Sequence, residues 1–93
     1  MGVPTVSRTL RLTIEIDRED DGRWIAEVPE IPGVIVYGDS EQAAMNAAQG
    51  LALNVIGERL TRGEDPLTGH RSEASPSAVA GFNRIEFESA LAV

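Results

Sequence analysis

The stretch EVPEIPGVIVYGDSEQAA, residues 27–44, constrains the fold more than any other part of the chain. Pro29 and Pro32 stand three apart, Gly33 follows at once, and the run Val34-Ile35-Val36-Tyr37 ends at Gly38. Proline has no N–H and cannot extend a central ladder, so a strand arriving before Pro29 stops there. Pro32-Gly33 then reverses the chain, proline fixing φ and glycine supplying freedom. VIVY forms a short strand that is apolar on both faces. Gly38 breaks it, and Asp39 or Ser40 caps a helix by accepting a bond from an orphan N–H of the first turn.

The segments on either side complete the pattern. In LRLTIEID, Leu10, Leu12, Ile14 and Ile16 alternate with Arg11, Thr13, Glu15 and Asp17. Period two over this length is a strand with one wet face. Asp21-Gly22 supplies a hairpin turn of the primed type, because glycine accepts positive φ. RWIAEV follows as a second strand, with Trp24, Ala26 and Val28 on one side and Ile25 and Glu27 on the other. The helix is expected from about Ser40 to Arg62, with Ala44, Ala48, Leu51, Ala52, Val55 and Ile56 near one stripe and Leu60 continuing it. Gly50 inside it costs about 1 kcal/mol against alanine, an expense usually offset by close approach of another backbone. Gly63 is a natural stop. A polar connection, 63–81, carries Pro, Gly and Ser, and its length suggests a loop or arm. Ile85 and Phe87 alternate with Arg84, Glu86 and Glu88, so 82–93 is a closing strand with an apolar ALAV end.

The order β-β-β-α-β implies an α+β fold: an antiparallel-rich sheet of three or four strands with one long helix across one face. The chain of 93 residues makes one domain, with a β-β-β-α core over 8–62. So small a core is marginal alone, which makes a homo-oligomer or a partner plausible on size grounds. There is no cysteine, so disulfides and thiolate metal sites are excluded. The start, MGVPTVSRTLRL, has no apolar run of signal-peptide length, and no segment is apolar enough to span a membrane, so a cytoplasmic location is expected. The formal net charge of -7 disfavours direct nucleic-acid binding. It would attract a basic protein, or simply keep a small domain in solution.

Motifs that carry chemistry are sparse. His70 stands alone in the loop with no second metal ligand at useful spacing. No nucleophile-elbow, phosphate-loop or dinucleotide pattern occurs, so neither an enzyme nor a cofactor is expected. PEIP has PxxP spacing but is pinned between strands rather than displayed as a free extended ligand. Asp17, Glu19, Asp20 and Asp21 cluster at the first hairpin. Arg18 and Arg23 dilute the cluster as a metal site, leaving a partner-binding acidic patch or a solvated tip, and these four residues are the candidate contact surface.

Taken jointly, DGRWIAEVPEIPGVIVYGDSEQAA resembles the N-terminal domain of the HicB antitoxin family. The matching positions are Asp21, Gly22, Trp24, Ala26, Pro29, Pro32, Gly33, Gly38, Ser40 and Ala44, and the resemblance covers about residues 8 to 62. Val34 stands where that family often has a small polar residue or cysteine. The resemblance implies a partial RNase-H-like fold without nuclease activity. It implies an antitoxin of a type II toxin–antitoxin system that covers the active site of a HicA toxin, a small basic ribonuclease that cuts mRNA. Many HicB proteins add a DNA-binding helix module. After Arg62 this chain has a polar loop and a strand instead, so operator binding by this chain is not expected. A solitary HicB-like protein that self-associates without a toxin is the alternative.

Overall fold

A computed structural model describes residues 8–71 and 82–91. In chain order the elements are β1 (Thr9–Arg18), β2 (Trp24–Glu27), β3 (Ile35–Gly38), α1 (Glu41–Thr61) and β4 (Arg84–Leu91). They form the expected α+β layout, a four-stranded sheet in the order β3-β2-β1-β4 with one helix. β1 and β2 pair antiparallel, as do β2 and β3. β4 lies parallel to β1, from Thr9 opposite Arg84 to Ile16 opposite Leu91. The closing strand therefore pairs within its own chain, and the sheet is mixed.

The alternation in β1 decides which face is covered. Leu12, Ile14 and Ile16 are buried beneath α1 with Ala26, Val28, Ile31 and Val34. From the helix, Ala44, Ala48, Ala52 and Ile56 enter this core, one turn apart. Three alanines in that stripe let the helix lie close on the sheet. Leu60 does not continue the buried stripe: it is 38% exposed. Leu51 and Val55 pack at the margin of the core.

The two prolines each start a turn. The Ile31 N–H donates to the Val28 carbonyl (2.9 Å) and the Val34 N–H to the Ile31 carbonyl (3.1 Å), so Pro29 and Pro32 each take the second position of a four-residue turn. Gly33, at φ 96°, supplies the positive φ of the second turn. Ile31, shared by both turns, is driven into the core. Beside it, Glu30 turns back to β1. Its carboxylate accepts the Thr13 N–H (2.9 Å) and hydroxyl (2.8 Å), occupying the β1 edge where β2 has ended.

The helix begins as anticipated: the Ser40 hydroxyl oxygen accepts the Ala43 N–H at 3.0 Å. It ends in a Schellman arrangement, with Gly63 at φ 73°, its N–H on the Leu60 carbonyl and the Glu64 N–H on the Arg59 carbonyl. The close approach expected at Gly50 lies instead at Gly38. A Cβ on Gly38 would meet the Ala44 backbone nitrogen at 2.5 Å, whereas nothing lies within 4 Å of one on Gly50.

The first part of the 63–81 connection is ordered. Arg59 donates to the Pro66 and Leu67 carbonyls (3.0 and 2.8 Å), and the Asp65 carboxylate accepts the Leu67 and Thr68 N–H groups. Pro66 is buried, and Glu64 bridges to Arg71. The rest of that connection, 72–81, and the last two residues of the ALAV end lie outside the described residues.

Candidate functional site

The face of the sheet away from α1 carries the other half of each alternation. β1 contributes Arg11, Thr13, Glu15 and Asp17, and β2 contributes Ile25 and Glu27. Ile35 and Tyr37 come from β3, and Arg84, Glu86 and Glu88 from β4. None of the described elements covers it.

This face is divided by charge. At the β4 end, Glu86 is neutralised by Arg84 (3.0 Å) and Arg11 (3.4 Å). Toward β3 the balance is lost. Glu15 stands directly opposite Glu27 across the strand pair, and Asp17 follows opposite Ile25. Among the described residues no arginine or lysine forms an ion pair with Glu15, Asp17 or Glu27. Like charges placed directly opposite on a sheet repel. With Glu19, Ile25 and Ile35 these carboxylates line a hollow of about 200 Å³. Beside it Ile35 and Tyr37 are 50% and 49% exposed, the largest such pair on the sheet. The Arg23 guanidinium lies 4.5 Å from the centre of the Tyr37 ring and closes that side.

The four hairpin carboxylates are only partly brought together. Asp17 joins the open face, and Glu19 lines the edge of the hollow. Asp20 is exposed at the tip. Asp21 is engaged by Arg23, whose backbone N–H (3.0 Å) and Nε (2.7 Å) both donate to it, and these two bonds hold its carboxyl below the ordinary range. The turn differs from the primed form. The Gly22 N–H donates to the Glu19 carbonyl, and Gly22 alone has positive φ, 90°, which is a turn followed by a bulge.

Reading the sequence for charge runs misses Glu15, Glu27, Ile35 and Tyr37 as a surface, because they are scattered over three strands. The available signal is the VIVY run. A strand apolar on both faces, in a sheet with one helix, must expose half of its apolar side chains. His70 is exposed; its N–H donates to the Thr68 hydroxyl oxygen and its carbonyl accepts the Asp65 N–H. Among the described residues no three His, Cys, Asp or Glu side chains converge as a metal site, and no helix is long and apolar enough to cross a membrane. No family model, curated protein or solved structure matches this chain.

Proposed function

We propose that this chain is a HicB-like antitoxin that binds and occludes a small, basic, HicA-like mRNA ribonuclease, acting by contact and without catalysis of its own. The single observation that carries the reading is the open sheet face. There an opposed Glu15–Glu27 pair is retained at a cost to the free protein, beside exposed Ile35 and Tyr37. Apolar contacts ringed by unpaired carboxylates suit a partner that brings lysines or arginines around an apolar patch. The resemblance over residues 8–62 supplies the class of partner. On this reading Asp17, Glu19, Asp20 and Asp21 form the acidic rim, where they steer the partner in, and Glu15 and Glu27 lie under it.

The test is capture of the tagged chain from its native cells, followed by an mRNA-cleavage assay on whatever co-elutes. A basic partner that cleaves mRNA alone and is silenced by one equivalent of this chain supports the reading. A captured partner without ribonuclease activity, or no partner, overturns it. Asp20→Lys with Asp21→Lys should slow association and reduce its salt dependence, whereas Tyr37→Asp should raise the dissociation rate. A second reading, a self-associating interaction protein without a toxin, is favoured by a different observation: β4 is a long edge strand with no described neighbour on its outer side.

A further inference from the structure

β4 and β3 are the two edges of the sheet, and they differ. β3 spans four residues and β4 spans eight, with neither proline nor a described covering element on the outer side of β4. Long open edges are the ones that recruit another strand. The Arg84 N–H donates to the Arg8 carbonyl at 3.2 Å, which sets the phase of the parallel ladder. The main-chain groups of Arg84, Glu86 and Glu88 therefore turn toward β1. Those of Ile85, Phe87 and Ser89 turn outward.

We infer that this edge pairs with the same edge of a second copy, antiparallel, about a two-fold axis through Glu86. In that register Ile85 and Phe87 exchange main-chain hydrogen bonds with the Phe87 and Ile85 of the second copy, on the helix side of a continuous eight-stranded sheet. Each Arg84 stands opposite the Glu88 of the second copy on the open face, in a close, non-hydrogen-bonded pair. The two Glu86 side chains meet at the axis, and each is already held by its own Arg84 and Arg11. Neighbouring registers are poorer. Centring on Phe87 opposes Glu86 to Glu88 twice, and centring on Glu88 leaves Arg84 without an acidic partner across the axis. Centring on Ile85 shortens the overlap. Overlap length and charge together select this register, and the self-complementary spacing of Arg84 and Glu88 makes a second copy the occupant. This deepens the self-association reading and is measured on the chain alone, so its failure leaves the toxin reading standing.

The experiment is sedimentation equilibrium of the full chain and of two charge variants, with circular dichroism to confirm folding. The wild-type chain should be a dimer. Arg84→Glu alone and Glu88→Arg alone each oppose like charges twice, and each should weaken the dimer about tenfold or more. Mixing the two variants opposes unlike charges at both contacts and should restore a dimer. Ser89→Pro, which removes an outward N–H from an edge strand at an exposed position, should leave the monomer folded and weaken pairing. A monomeric wild-type chain would overturn the proposal. So would a dimer unmoved by the charge variants and by Ser89→Pro, or a mixture that does no better than its components.

Discussion

At the residue scale, two glycines separate conformational cost from steric need. Gly38 faces the backbone of Ala44, so Gly38→Ala must push the helix from the sheet and should cost about 1–3 kcal/mol. Gly50 is exposed with free space where a Cβ would stand, so Gly50→Ala should raise stability by about 0.5–1 kcal/mol. Urea unfolding of both variants checks the pair, and opposite signs are expected. Glu30 adds a pH dependence. Burial pushes its carboxyl up, but the bonds from the Thr13 N–H and hydroxyl outweigh this and hold it below the ordinary value of 4.5. A carboxyl depressed on folding binds its proton more readily in the unfolded chain. Its contribution is therefore present in full above the ordinary range and is lost as pH falls through the folded value. Glu30→Gln should lower stability by about 1 kcal/mol near neutrality, a modest figure because the group is partly solvated. The gap to wild type should close at low pH, which urea midpoints at neutral and acid pH would show.

At the element scale, the alternation in β1 and β2 specifies two faces with different tasks. The buried face sets stability. The open face carries Glu15 opposite Glu27, a local conflict that a purely structural strand pair would relieve. Glu15→Gln or Glu27→Gln should stabilise the isolated chain by about 0.2–1 kcal/mol, and on the proposed reading should weaken the basic partner's binding. Thermal melts and binding measurements on the same variants test this divergence. The helix start is a simpler case. Ser40→Ala removes the acceptor of the Ala43 N–H and should cost about 0.5–2 kcal/mol, read from the shift in urea midpoint.

At the scale of the whole molecule, β4 returns after the helix to lie beside β1, converting a three-stranded meander into a mixed sheet. Ile85 and Phe87 pack against the core while half-buried. A chain ending before Phe82 loses these contacts and opens the β1 edge. It should unfold at lower temperature and less cooperatively than the full chain, as a thermal melt would show.

Legible in the chain alone were the order of the elements, the inward set Leu12, Ile14, Ile16, Ala26 and Val28, the strand stop at Pro29, the Pro32-Gly33 reversal and a helix cap at Asp39 or Ser40. Each rests on forces acting within a few residues: alternation, fixed φ, a missing N–H, a side chain in reach of the next turn. Packing of the elements fixed the parallel course of β4 beside β1, the close backbone approach at Gly38 rather than Gly50, the turn at Pro29, the choice of Ser40 as cap, and the opposition of Glu15 to Glu27 beside Ile35 and Tyr37. Those outcomes depend on strand order, register and the depth at which the helix packs. No local pattern encodes them, because they arise from how the elements meet.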